Sequence, residues 1–147
     1  LIQCIEHHHL SCSAIQLEIT EGSLLDNNVI VYENLSVASE HGIRISIDDF
    51  GKGYSSLSYL KRLPLSELKI DKSFVDGLGQ DKEDEAITLA IISLAKALEL
   101  RTVAEGVETV EQLAWLDRHG CNMAQGYLLA RPLPLHEFED LLARAAS

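Results

Sequence analysis

Asp48 and Asp49 stand side by side at the end of an apolar run, Arg44-Ile45-Ser46-Ile47, and lead into Phe50-Gly51-Lys52-Gly53. Adjacent carboxylates repel, so a folded chain keeps both ionised only where solvent or a cation compensates them. An isolated Asp-Asp is most simply a solvated turn that caps a helix. Here the pair has company. Glu18 lies in Ile15–Thr20, Lys69 in Leu68–Asp71, Glu105 in Arg101–Gly106 and Gln125 in Met123–Tyr127. If these ends converge, four carboxylates would face one lysine, which is too little counter-charge for a site removed from water. One or two divalent cations with oxygen ligands would balance the cluster. Magnesium or manganese suits it better than zinc, because no His or Cys joins it.

The elements that must position these residues are legible in the pattern. Ile15–Thr20 alternates apolar and polar in strict period two and reads as a first strand. Arg44–Phe50, Leu68–Asp71, Arg101–Gly106 and Met123–Tyr127 read as four more. Residues 1–10 read as the end of a helix. Asp26-Asn27-Asn28 predicts a helix start, with the helix running to about Glu40 and closed by Gly42. Ser56–Leu63 suits a short helix stopping before Pro64. Ile87, Ile91, Leu94 and Leu98 form an apolar stripe at helical spacing after an acidic loop, 77–84. Thr109 and Gln112 make a capping box for a helix that Gly120 ends. Pro134 opens a last amphipathic helix through Phe138, Leu141 and Leu142.

Strands alternating with helices across short turns mean βα units and a parallel sheet. The phase within each strand narrows this further. Glu18, Asp48 and Lys69 share a face opposite Leu17, Ile19, Ile45, Ile47, Leu68 and Ile70, and Asp71 falls in the phase of Lys69. An open doubly wound sheet buries both faces and reads as continuous apolar runs. A closed (β/α)8 barrel turns one phase to its helices and the other to its own interior, with its active site at the C-terminal strand ends. The expectation is therefore an α/β, TIM-like barrel, here incomplete, with about five of the eight βα units.

Bulk properties exclude several classes. The 147 residues, 46% of them hydrophobic, suffice for one domain. With 12 basic and 23 acidic residues the net charge is −11, which argues against a nucleic-acid polymer as partner. An anionic ligand would have to be brought in by metal cations. Cys4, Cys12 and Cys121 lack CxxC spacing and read as reduced thiols of a cytoplasmic protein. His7-His8-His9 fans around a helix without converging, so it reads as a solvated face. No apolar run reaches membrane-spanning length. The chain starts at Leu1 and its one methionine is Met123, so it reads as a fragment. Asp49-Phe50-Gly51 lacks the partner loops of a kinase, and Gly51-Lys52-Gly53 is no P-loop.

Taken together, Leu17-Glu18-Ile19-Thr20-Glu21, Ile47-Asp48-Asp49-Phe50-Gly51, Leu68-Lys69-Ile70-Asp71, Val103-Ala104-Glu105-Gly106-Val107-Glu108, Gln125-Gly126-Tyr127 and Arg131-Pro132-Leu133-Pro134 resemble the EAL domain. The resemblance runs from about Leu10 to the end, so residues 1–147 read as the C-terminal part of one such domain. It implies a modified (β/α)8 barrel that hydrolyses cyclic-di-GMP to linear pGpG with two Mg2+ or Mn2+ ions and is inhibited by Ca2+. By the same resemblance Glu18 and Asp48 ligate the first metal, Asp48 bridges, and Asp49 and Glu105 serve the second. Lys69 holds the attacking water, with Lys69, Glu105 and Glu21 forming the catalytic set. Glu21 steadies the loop after the Asp pair, 50–56, which couples metal binding to homodimer contacts. Gln125 and Asp71 are assigned to substrate.

Two departures from the family matter. Its name-giving glutamate and an asparagine ligand on the next strand both precede the first strand seen here, so this chain by itself is expected to be weakly active or inactive. Position 52 is Lys, which reads as solvent-exposed. An upstream sensor or cyclase-type domain is expected in the parent protein. The competing reading is a catalytically silent receptor or interaction module of the same type. Retention of every visible ligand position favours the enzyme.

Overall fold

The computed structural model describes residues 1–24, 29–51 and 60–145. Its centre is a five-stranded parallel sheet in the order β1 to β5, comprising β1 (Gln16–Thr20), β2 (Arg44–Phe50), β3 (Glu67–Ile70), β4 (Arg101–Glu105) and β5 (Met123–Gln125). Strand order follows chain order, so each strand pairs in parallel with the next. The helices are α1 (Ile2–His7), α2 (Val29–Glu40), α3 (Lys72–Asp76), α4 (Lys82–Ala97), α5 (Val110–Arg118) and α6 (Leu135–Ala145). This is the expected α/β arrangement of five parallel strands with helices.

The period-two pattern decides which phase is buried. Ile45, Ile47, Leu68, Ile70 and Ala104 are inaccessible to solvent and pack against Ile91, Ile92, Ala95 and Leu116 of the helices. Burying each such aliphatic side chain stabilises the fold by about 1.5–3 kcal/mol. A smaller cluster of Ile5, Ala38 and Ile43 ties α1 and α2 to the start of β2. In α4 the fully buried line is Thr88, Ile91, Ile92 and Ala95, while Ile87, Leu94 and Leu98 are half-buried. The stripe read from aliphatic size alone is thus rotated, because small Thr88 and Ala95 let the helix approach the sheet closely.

Local chemistry sets the helix ends. In α4 the Asp81 carboxylate accepts from the Glu83 amide at 2.7 Å, acidic residues fill the first turn, and Lys96 sits in the last. The capping box at α5 forms as expected. Thr109 Oγ1 accepts from the Gln112 amide at 3.2 Å, and Gln112 Oε1 accepts from the Thr109 amide at 3.0 Å. Thr109→Ala is expected to cost about 1 kcal/mol. A thermal melt should fall by about 2–4 °C, and an unchanged melt would show that the cap contributes nothing.

The ends of β3 and β5 differ from expectation, and one short helix is additional. β3 ends at Ile70, and Asp71 instead caps α3, its Oδ1 accepting from the Ser73 amide at 2.9 Å and the Ser73 hydroxyl at 2.6 Å. Helix α3 is missing from the sequence reading because five residues are too few to display a period. β5 ends at Gln125 because Gly126 packs on the backbone of Val107. There a Cβ would lie 2.1 Å from the Val107 carbonyl oxygen. The start signal Asp26-Asn27-Asn28 and most of the helix expected over Ser56–Leu63 lie outside the described residues, as does Lys52. Leu60 and Leu63 are buried in the main core.

Helix α6 forms where Pro134 predicts it, but its apolar side is uncovered. Leu135, Phe138, Leu141 and Leu142 are all exposed, and no residue of the helix is buried. Among the described residues no strand pairs with the outer edge of β1 or of β5.

Candidate active site

Because the strands are parallel and in register, their C-terminal ends form one rim. Glu18 comes from β1, Asp48 from β2, Lys69 from β3 and Glu105 from β4. The Lys69 ammonium lies 2.9 Å from Glu18 Oε2, 3.3 Å from Asp48 Oδ1 and 2.7 Å from Glu105 Oε1. One cation therefore joins carboxylates from the other three strands. Lys69 is buried, and burial alone would pull its pKa down. Hydrogen bonds to Glu105 and Glu18, with the charges of Glu105 and Asp48, outweigh that and hold it above the ordinary lysine range.

The Asp pair owes its geometry to a bulge. Ile47 pairs with Leu68 but Phe50 pairs with Ile70, so β2 carries one extra residue at this point. Ile47 and Phe50 can then both face the core, with the two aspartates between them. Asp49 adopts φ +55, and its amide donates to Asp48 Oδ1 at 3.0 Å. A non-glycine residue in the left-handed region costs on the order of 1 kcal/mol, a strain of the kind that collects at functional sites. Gly51 follows at φ +102 and donates its amide to the buried Glu21 carboxylate at 3.3 Å. Glu21 thus holds the turn directly after the pair.

Gln125 ends β5 opposite Glu105 and is exposed at the same rim. Its carbonyl accepts from the Val107 amide at 3.0 Å, and the Val107 carbonyl accepts from Leu128 at 3.0 Å, so the loop after Glu105 is stitched to it. Asp71 reaches the rim only through the turn it caps. The sequence reading placed it in the strand phase of Lys69, and that phase stops one residue earlier. His7, His8 and His9 lie on and just beyond the end of α1 and are exposed, as a solvated face requires.

Glu67, Gln16 and Arg101 form a polar layer that sequence reasoning passed over. Glu67 is buried, accepting from Gln16 Nε2 at 2.7 Å, with an Arg101 guanidinium nitrogen 3.5 Å away. These residues stand two positions before Glu18, Lys69 and, counting from Val103, Glu105 in the same strand phase, which was the available signal. Gln16 and Glu67 of this layer, with Glu18, Lys69 and Gln125 of the rim, line an open groove of about 450 Å3.

The Lys69 ammonium reaches three carboxylates, yet one positive charge among Glu18, Asp48 and Glu105 leaves the cluster short of counter-charge. Among the described residues no group of three or more His, Cys, Asp or Glu side chains is arranged as a metal site. The donor chemistry nevertheless fits a hard divalent cation. Three carboxylate oxygens from different strands meet within 3.3 Å of one point, without nitrogen or sulfur.

A family model described as the EAL domain matches residues 1–132. The chain belongs to the EAL domain family. The match takes in α1, ahead of the point near Leu10 where the motif resemblance begins, and stops before α6. A curated relative in Pseudomonas aeruginosa, the bifunctional diguanylate cyclase/cyclic di-GMP phosphodiesterase MucR, is 51% identical over 142 residues. That alignment covers 95% of this chain and 20% of the relative. The chain spans about a fifth of the length of the first curated relatives it matches, at 20% and 18%. Among solved structures, the MucR phosphodiesterase in complex with c-di-GMP superposes with a TM-score of 0.88 and 47% identity. It covers 93% of this chain and 56% of that one. The manganese/c-di-GMP complex of Klebsiella pneumoniae BlrP1 superposes with a TM-score of 0.80 and 30% identity, over 89% of this chain and 33% of that one. The same protein is also known as a calcium/c-di-GMP complex.

Proposed function

We propose that residues 1–147 are the C-terminal part of one EAL domain, and that the complete domain hydrolyses cyclic-di-GMP to linear pGpG. The observation that carries this reading is the meeting of Glu18, Asp48 and Glu105 around Lys69 at the C-terminal rim of four successive parallel strands. Glu18, Asp48, Asp49 and Glu105 are the residues that would hold Mg2+ or Mn2+. Such cations, when bound, neutralise phosphate charge and activate water for in-line attack. They also answer the problem posed by a net charge of −11 facing an anionic dinucleotide.

This chain's own groups supply the rest. Lys69 is a fixed cation beside the nucleophile, oriented by a β3 backbone whose Leu68 and Ile70 are fully buried. Glu21 keeps the turn at Gly51 in place, and through it the aspartates. Gln125 presents an amide at the rim for substrate or its water. Asp71 serves the substrate side by fixing the turn after Lys69. The uncovered edges of β1 and β5 and the apolar side of α6 suit packing against the remaining βα units of the domain. Those units would also carry the family's glutamate and asparagine ligands. A homodimer and a cytoplasmic location complete the proposal, with a sensor or cyclase-type domain upstream in the parent. No helix among the described residues is long and apolar enough to cross a membrane.

The test is hydrolysis of cyclic-di-GMP with Mg2+, followed by chromatography. The 147-residue chain by itself is expected to turn over at least about a hundredfold more slowly than the same chain joined to the rest of its domain. Equal rates would show that residues 1–147 are sufficient. Binding of the nucleotide with Ca2+, but no turnover with Mg2+ in the complete domain, would replace the enzyme reading by the receptor one.

A further inference from the structure

Glu105 ends β4, and Gly106 follows it at φ +70, so the strand stops supporting the chain one residue past this carboxylate. Two side chains from outside the rim cluster hold the turn that comes next. The Lys72 stem lies across Gly106, where a Cβ would sit 2.6 Å from Lys72 Cδ, and the Lys72 ammonium donates to Glu108 Oε1. Gln112 of α5 is buried. Its Oε1 accepts from the Glu108 amide at 2.8 Å, and its Nε2 donates to the Val75 carbonyl of α3 at 3.2 Å. Both ties join the turn after β4 to the helix after β3, the strand that carries Lys69. The capping box needs only the Gln112 oxygen, and a glutamate serves there equally well. The bond from Nε2 to Val75 does nothing for the cap. It is a buried donor that loses its partner if the turn and α3 separate.

We propose that Lys72 and Gln112 are positioning residues, which clamp the turn after β4 onto α3 and so fix Glu105 relative to Lys69 for hydrolysis. This rests on the assignment of Lys69 and Glu105 to hydrolysis made above. Neither Lys72 nor Gln112 is itself assigned to metal, nucleophile or substrate. The physical reason lies in how differently rate and stability respond to a small displacement. Moving a working group by about 1 Å can cost about a hundredfold in rate. An exposed ion pair such as Lys72 with Glu108 contributes little to stability. The clamp therefore shows in turnover before it shows in a melt.

The test is turnover of cyclic-di-GMP by the complete domain in saturating Mg2+, beside thermal melts and amide hydrogen exchange over residues 105–109. Gln112→Glu keeps the accepting oxygen of the cap and sets a carboxylate oxygen against the Val75 carbonyl. It is expected to lower kcat at least about tenfold with KM within about twofold of wild type. Exchange over 105–109 should rise at least about fivefold. Lys72→Met keeps the stem over Gly106 without the charge and should lower kcat about threefold. Lys72→Arg keeps both and should restore kcat to within about 1.5-fold of wild type. Thr109→Ala is the control, because it weakens the same helix cap and leaves the bond to Val75; its kcat should stay within about twofold. A folded Gln112→Glu domain with wild-type kcat overturns the proposal. So does an equal loss in Thr109→Ala, which would assign the effect to helix stability, or a loss confined to KM. If Gln112→Glu fails to fold, Lys72→Met decides, and a wild-type kcat there overturns the proposal. Exchange over 105–109 unchanged in both variants removes the clamp itself. A wild-type domain without turnover removes the hydrolytic reading instead, and the positioning role with it.

Discussion

Asp48→Asn in the complete domain is expected to lose cyclic-di-GMP hydrolysis by about a hundredfold or more while the fold stays intact. The substitution is nearly isosteric. An asparagine Oδ1 can still accept from the Asp49 amide, as Asp48 does at 3.0 Å. Lys69 keeps Glu18 and Glu105, its two shorter contacts, at 2.9 and 2.7 Å. Removing one of three carboxylates around one ammonium relieves repulsion among those that remain, so stability should change by less than about 1 kcal/mol. What is lost is the charge of the residue proposed to bridge the two metals. Turnover measured beside a thermal melt checks both halves. Full activity in a normally folded variant would mean that Asp48 is not a ligand, and the assignment built on the Asp pair would fall.

Gly126→Ala carries the largest expected effect on stability. A Cβ there would lie 2.1 Å from the Val107 carbonyl oxygen and 2.3 Å from its nitrogen. Both are backbone atoms, and both are committed: Val107 donates to Gln125 and accepts from Leu128. Neither can retreat without breaking the stitch that holds the loop after Glu105 to the end of β5. Overpacking against fixed atoms costs about 3 kcal/mol, which at this chain length lowers the melting temperature by about 6–12 °C. The clash pushes on the residue next to Gln125, so the complete domain should also lose nucleotide affinity. A melt within 2 °C of wild type, on the scale expected of an ordinary surface change, would show that the loop yields.

Much of the architecture was written in one-dimensional pattern. Period-two alternation in residues 15–20 separated half-buried Leu17 and Ile19 from exposed Glu18 and Thr20, because a strand's side chains alternate by covalent geometry alone, whereas in β2 Ser46 is buried as fully as Ile45 and Ile47. The Thr109 and Gln112 capping box was equally legible, since both partners lie within one turn. The short helix after β3 was not. Five residues carry no period, and the Asp71 cap that starts it looks the same in sequence as the last residue of a strand. In α4 the sizes of Thr88 and Ala95 mattered as much as the aliphatic stripe, and only the approach of helix to sheet could reveal that.

For the site, residue types and strand order by themselves determined which side chains belong together. Parallel strands of like register must bring their C-terminal ends to one rim, so Glu18, Asp48, Lys69, Glu105 and Gln125 follow from the alternation of strand and helix. Only the tertiary structure decided how their charges are settled. Distances of 2.7–3.3 Å from one ammonium to three carboxylates depend on the spacing between strands and on the depth at which Lys69 is buried. The bulge that lets Asp48 and Asp49 sit together above Ile47 and Phe50 is likewise a property of pairing with β3. Electrostatics over several ångströms is a property of three-dimensional neighbours, and a sequence names charges without placing them.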